Sequence, residues 1–198
     1  MPNWADVNYV VTGDEKQVRD LYDRFQEYID GKKKTISRDN SNGESDHVEN
    51  TWLGNVVVSL GGDWRKVYSR GWLQTAPYID DEGNLHLCVE AAWGELDDWR
   101  AFIESKYKGI NIYYQCQEPG MDNYTTNDEN GKYFFDQYTI ELNNDEEYFE
   151  DFDDLQDYIK DKTGRTVETE EDVESLINEL CEKDEDGYYT FHKFELAD

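Results

Sequence analysis

Three side chains that could share acid–base work, Asp6, His86 and Glu90, fall in two strand-like runs, WADVNYVVT (4–12) and LHLCVEAAW (85–93). Period-two alternation turns Leu85, Leu87, Val89 and Ala91 to one side, so His86, Cys88 and Glu90 face the other, where Asp6 also points. Two carboxylates beside an imidazole could trade a proton near neutral pH. A merely solvated polar face accounts for the same alternation. His86-x-Cys88 also sets a nitrogen and a sulfur ligand of the kinds zinc takes on one strand face. Cys116 does not complete that set, because it alternates with Ile110, Ile112 and Tyr114 on the side expected to meet a core. Two strands flanking a third lie about 9–10 Å apart, too far for a disulfide between Cys88 and Cys116.

Other chemistries are poorly served. Aligning RDNSNGESDHVE (38–49) on a calcium loop puts Asn40, Asn42, Asp46 and Glu49 in register, but Arg38 stands at the first ligand position and would repel the ion. The stretch EKDEDGYYTFHK has Lys193 where the bidentate glutamate belongs. No G-x-S-x-G, P-loop, Rossmann fingerprint or HExxH is present. The expectation is no metal, no cofactor and no catalytic residue.

The densest charge is NDEEYFEDFDDLQDYIKD (144–161), nine carboxylates and one lysine among apolar residues. On a helical wheel, Glu146, Glu150, Asp153, Asp154, Asp157 and Asp161 form one stripe, while Phe149, Phe152, Leu155 and Ile159 gather opposite as an anchor. Such a stripe carries one acid per roughly 4 Å, near the one charge per about 3.4 Å of a DNA strand. It would suit a basic surface made to hold nucleic acid. A face that only keeps the chain in solution has the same pattern.

Bulk numbers agree with an acidic globular chain. Among 198 residues, 47 Asp+Glu stand against 19 Lys+Arg, a formal charge of −28 that repels nucleic acid and anionic membrane and points to basic partners. No apolar run approaches the ~20 residues that span a bilayer, and MPNWADVNYVV lacks the basic n-region of a secretory signal, so the expectation is cytoplasmic. Three widely spaced cysteines, Cys88, Cys116 and Cys181, suggest reduced thiols.

The elements that would position these residues follow from periodicity and turn residues. After the first strand, DEKQVRDLYDRFQEYI places Val18, Leu21, Tyr22, Phe25, Tyr28 and Ile29 on one helical face. Residues 31–50 form a polar insertion loop, and NVVVSL is a short apolar strand. DEGN (81–84) turns a hairpin into the strand of His86, GELDDWRAFIESKY is a second helix, and INIYYQCQ the strand after it. The order β-α-β-β-α-β defines an α+β ferredoxin-like split β-α-β sandwich, an antiparallel sheet with helices on one face. A hairpin near NDENG (127–131) extends that sheet through KYFFDQYTIEL. This gives a first domain over 1–142 and, over 143–198, an acidic α-helical extension. In that extension the stripe helix and TEEDVESLINELCEK, capped by Thr169, precede a final strand YYTFHKFEL.

Met1-Pro2-Asn3-Trp4, Thr12-Gly13 closing the first strand, Ala92-Trp93 ending another, and Glu118-Pro119-Gly120-Met121 resemble, in order and spacing, the YubB-like family of plasmid- and phage-associated proteins with ferredoxin-like domains. The resemblance covers about residues 1–142. This chain has Ala5 where the family usually has cysteine, Val7 where it has asparagine, and Ala91-Ala92-Trp93-Gly94-Glu95-Leu96 where it commonly reads Thr-Ala-Trp-Ser-Pro-Pro. The resemblance implies the fold and a mobile-element setting, but no activity. Trp4 and Trp93 read as aromatic packing at strand ends.

Two functions follow as expectations. The first is a non-catalytic interaction protein that presents Glu146, Glu150, Asp153, Asp154, Asp157 and Asp161 to a basic, nucleic-acid-handling partner, as a DNA mimic or in anti-defence. The second is an enzyme or small-ligand binder that uses the open sheet face of Asp6, His86 and Glu90.

Overall fold

In the computed structural model, which describes residues 2–39, 45–184 and 186–197, the first strand-like run becomes β1 (Trp4–Gly13). Ala5, Val7, Tyr9 and Val11 are buried while Trp4, Asp6 and Asn8 are exposed, the alternation a pleated strand imposes. At Gly13 φ is +123°, and a Cβ there would collide with the Gly109 carbonyl, so only glycine fits the corner. Asp14 then accepts a hydrogen bond from the Gln17 amide at 3.0 Å and starts α1 (Glu15–Ile29). Val18, Leu21, Phe25 and Tyr28, spaced at three and four, form its buried stripe.

Of the expected insertion loop, residues 40–44, with Asn40 and Asn42, lie outside the described residues. On either side, β2 (Ser37–Asp39) and β3 (Ser45–His47) pair antiparallel, with Arg38 opposite Asp46. NVVVSL is not the expected strand; it lies in α2 (Gly54–Ser59). Leu53, Val56, Val57 and Leu60 are spaced i, i+3, i+4, i+7, and burying Leu53, Val56 and Val57 in the core outweighs the modest strand preference of β-branched residues. The segment that follows, residues 61–79, supplies two short strands, β4 (Gly71–Leu73) and β5 (Tyr78–Ile79). The hairpin turn forms as expected: Asp80 accepts from the amides of Glu82 and Asn84 at 2.9 and 2.8 Å, feeding β6 (Leu85–Ala92).

α3 (Asp97–Lys106) has acids in its first turn and a lysine in its last, matching the helix dipole, and β7 (Ile110–Glu118) follows. The strands lie in the order β7-β1-β6-β4, with β5 also on β6, and every one of these pairs is antiparallel. Val7, Tyr9 and Val11 of β1, Leu85, Leu87 and Val89 of β6, and Ile112, Tyr114 and Cys116 of β7 share one core with the buried stripes of α1, α2 and α3. Trp99 is its largest fully buried side chain, 5.4 Å from the Tyr9 ring and 6.5 Å from Phe25. Cys116 is thus buried and Cys88 half-buried on the other pleat, and no disulfide forms among the described residues.

The chain divides into units of Met1–Asn123 and Tyr124–Asp198, a boundary earlier than the expected 142/143. The reason lies in pairing. β8 (Asn123–Thr126) does not form a hairpin with β9 (Tyr138–Leu142); instead β9 is the centre of a separate three-stranded sheet, between β10 (Asp145–Phe149) and β11 (Tyr189–Lys193). Two helices, α4 (Phe152–Thr163) and α5 (Glu170–Lys183), cover that sheet's core of Ile140, Leu155, Ile159, Val173 and Ile177. Thr169 caps α5 in a reciprocal capping box with Asp172. The final strand is broken at Phe194, after which β12 (Glu195–Leu196) runs parallel to Thr125 and Thr126. The C-terminal part is therefore not a helical extension ending in one strand but an α+β unit with its own three-stranded sheet. Over the whole chain the structure is mixed α+β with five α-helices among the described residues, none long and apolar enough to cross a membrane.

Candidate functional site

The acidic stripe does not lie on one helix. Asn143 and Asn144 adopt φ of +57° and +67°, a two-residue type I′ geometry that turns β9 back into β10 and leaves Glu146 on a strand opposite Glu141. Glu150 lies in the bend that follows. The helix begins only after Asp151, whose carboxylate caps the Asp154 amide at 3.0 Å. The Asn-Asn pair between YTIEL and DEEYF is the sequence signal for this hairpin, and a helical wheel does not register it because acids populate both faces of so charged a run.

Four of the six carboxylates remain together. Asp153, Asp154, Asp157 and Asp161 span an arc of about 100° on α4, opposite the buried Leu155 and Ile159. All four are exposed, and none has a salt bridge or a side-chain hydrogen bond among the described residues. Of the two lysines on α4, Lys162 is engaged elsewhere, 2.8 Å from Asp145, while the exposed Lys160 borders the stripe without an ion pair among the described residues. The second unit as a whole holds 25 acids and 6 bases, so little positive charge is left to neutralise this face.

The open face of the first sheet does not gather Asp6, His86 and Glu90 into one cleft. Asp6 and Glu90 are directly opposed across β1 and β6, but His86 pairs with Val10, four residues along, roughly 13 Å at strand rise. The His86 ring is tied down there: Nε2 lies 2.8 Å from Asp80 Oδ2, and the imidazole stacks on Tyr78 at 4.7 Å. Asp80 is held down to about 2: burial opposes its ionisation, but His86 and the amide and side chain of Asn84 outweigh that. Cys88 donates to Gln74 Oε1 at 3.2 Å, while Gln74 Nε2 donates to Asp6 at 2.7 Å. Burial and the Asp6 charge push the Cys88 thiol up, away from the thiolate that a metal or a nucleophilic reaction would need. Among the described residues no three His, Cys, Asp or Glu side chains are grouped to hold a metal ion.

A feature of a different kind lies at the β4 edge of this sheet. The Trp52 and Trp72 backbones form an antiparallel bridge flanked by Leu53 N–H to Gly71 O and Leu73 N–H to Thr51 O, each 3.0 Å. Such a non-hydrogen-bonded pair sets two side chains close together on one face. Trp64 meets Trp52 edge-on at 5.6 Å, and Trp4 meets Trp72 edge-on at 5.9 Å. Around Trp52, Trp64 and Trp72 opens a groove of about 920 Å³ into which Arg65, Lys66 and Arg70 also project. The sequence does carry a signal for it: residues 50–79 hold half of the chain's six tryptophans, three bases and a single acid, Asp63, inside a chain of charge −28.

The motif residues of the family resemblance lie mostly at strand ends. Trp4 packs on Trp72 but is 40% exposed, and Trp93, at φ +74°, is 47% exposed, so these indoles are surface features more than core packing. Glu118 is buried, one carboxylate oxygen accepting from the Gly120 amide at 2.9 Å and the other without a partner. Comparison of the chain with protein-family models, curated proteins and solved structures finds no match.

Proposed function

We propose that the chain is a non-catalytic interaction protein that offers the carboxylate face of α4 to a basic, nucleic-acid-handling partner in the cytoplasm. The observation that carries this reading is that Asp153, Asp154, Asp157 and Asp161 stand exposed and unpaired on one side of a helix whose other side is anchored. Four acids over about 12 Å of axis approach the charge spacing of one DNA strand, about 3.4 Å. An unpaired carboxylate loses no salt bridge of its own when a partner arrives, and fixed charges steer encounter. Glu146 and Glu150, on β10 and the bend, add to the acidic surface without sharing the helical register.

The family setting is part of the same proposal. The order β7-β1-β6-β4, with α1 before the edge strands and α3 between β6 and β7, supports a ferredoxin-like first unit of the YubB-like kind, in a protein of plasmids or phages. An anti-defence role would suit a phosphate-like surface. The competing reading, chemistry on the open sheet face, is disfavoured by the separation of His86 from Asp6 and Glu90.

The test begins with the whole chain as bait in host lysate at low and high salt. Each recovered partner is then titrated against wild type and the D153N/D154N/D157N/D161N variant. Affinity should drop about tenfold or more in the variant, fall with salt as screening shortens to a Debye length of ~8 Å, and yield to competing duplex DNA. If the variant precipitates more readily yet binds every partner as wild type does, the face serves solubility and the proposal fails.

A further inference from the structure

The tryptophan groove combines two features that stand out in so acidic a chain: indoles left partly open, and two cations, Lys66 and Arg70, in no ion pair among the described residues. Trp64 and Trp72 are half-buried over the nearly buried Trp52, so indole surface lines a groove of about 920 Å³ in which a ligand of a few hundred daltons could settle. Among the neighbouring cations, Arg65 is already held by a two-pronged contact with Asp63, at 2.9 and 3.1 Å. Lys66 and Arg70 are exposed and in no ion pair among the described residues; the Arg70 guanidinium lies 5.7 Å over the Trp4 ring. A guanidinium held over an indole by a cation–π contact retains N–H donors that can grip phosphate or carboxylate. Glu49 and Asp98 also line the groove and can accept from N–H or O–H groups of a ligand.

We propose that this groove binds a compact organic anion carried on a flat ring, the class represented by a nucleoside monophosphate. The ring would stack on the exposed indole surface, and the phosphate, of charge about −1.5 to −2, would match the two unpaired cations Lys66 and Arg70. The size of the anion follows from the rest of the molecule. Beyond the groove the chain is strongly acidic, so each further phosphate of a polynucleotide meets repulsion, whereas a single phosphate is served by the two local cations. This proposal is independent of the α4 face, which involves other residues and a partner of opposite charge.

The test titrates the full chain with adenosine 5′-monophosphate, following tryptophan fluorescence and, in parallel, calorimetric heat. Adenosine, inorganic phosphate and hexathymidylate serve as separate probes. The monophosphate should give saturable quenching, adenosine a weaker response, and inorganic phosphate alone none. K66Q/R70Q changes two exposed side chains and should keep the wild-type circular dichroism and melting temperature. Its affinity for the monophosphate should fall at least about tenfold, as loss of charge-assisted hydrogen bonds implies, while adenosine binds as before. Trp72→Leu should weaken both. Absence of saturable binding to folded wild type, or unchanged affinity in K66Q/R70Q, would overturn the proposal. So would inorganic phosphate binding as tightly as the nucleotide, since the ring would then have no role. Tighter binding of hexathymidylate, with a steep salt dependence, would replace the mononucleotide with a single strand and equally refute it.

Discussion

Glu146 faces Glu141 across the ladder of β9 and β10. The hairpin closes through a two-residue turn at the pair Leu142 and Asp145, so the next pair, Glu141 with Glu146, is the non-hydrogen-bonded kind in which side chains approach most closely. Partial burial and the Glu146 charge both push the Glu141 carboxyl above the ordinary glutamate range. A directly opposed pair contributes roughly 0.2–1 kcal/mol, unfavourable for like charges and favourable for opposite ones. Replacing Glu146 by Lys converts one into the other, so E146K should stabilise the fold by about 1 kcal/mol. With a urea slope of about 1–3 kcal/mol per molar, the unfolding midpoint should rise by roughly 0.3–1 M. Glu141→Lys should act in the same direction, and the double variant, a lysine pair, should lose both gains. That non-additivity is the signature of direct contact. Because folding raises the Glu141 pKa, the repulsion is absent below the ordinary glutamate pKa of about 4.3 and complete once pH has passed the raised folded value. The gain from E146K should therefore be full at pH 7 and shrink towards pH 4. On a helix running from 146 to 161, a lysine at the first turn would instead oppose the dipole and destabilise. A lowered midpoint for E146K, or strict additivity in the double variant, would refute the hairpin register.

Leu155→Ala removes a fully buried side chain between α4 and the second sheet and should destabilise that unit by roughly 2–5 kcal/mol, read by chemical denaturation. Asp80, depressed to about 2, contributes stability to the β5–β6 turn that is present above the ordinary aspartate pKa of about 3.9 and is lost as pH falls towards about 2. Protection of the Glu82 and Asn84 amides relative to their intrinsic exchange rates, measured by NMR, should fall across that window in the wild type, and in Asp80→Asn should already be low at pH 5; unchanged protection in the variant would contradict the assignment of Asp80 as their acceptor.

What the sequence alone determined lies where a signal is complete within a few residues. The stripe of α1, the Asp80 turn, the Thr169 cap of α5 and the opposite facing of Cys88 and Cys116 were all legible, because periodicity and turn chemistry act between neighbours. Tertiary structure decided the cases in which local preference is weak or evenly divided. NVVVSL favours strand by a fraction of a kcal/mol per residue, and burial of Leu53, Val56 and Val57 against the first core reverses it. Residues 145–149 satisfy a helical wheel on paper, yet β9 gains ladders on both sides only if they pair with it as β10 while β11 arrives from some fifty residues later. The groove depended most on the fold: Trp52, Trp64 and Trp72 are 12 and 8 residues apart in sequence, and no periodicity makes them neighbours. They line one groove because the bridge between the Trp52 and Trp72 backbones sets those two indoles on one face and the turn before β4 brings Trp64 against Trp52. Such contacts form only when distant segments are held together by a core, which is why the acidic run was the obvious candidate in the sequence and the basic, aromatic groove was not.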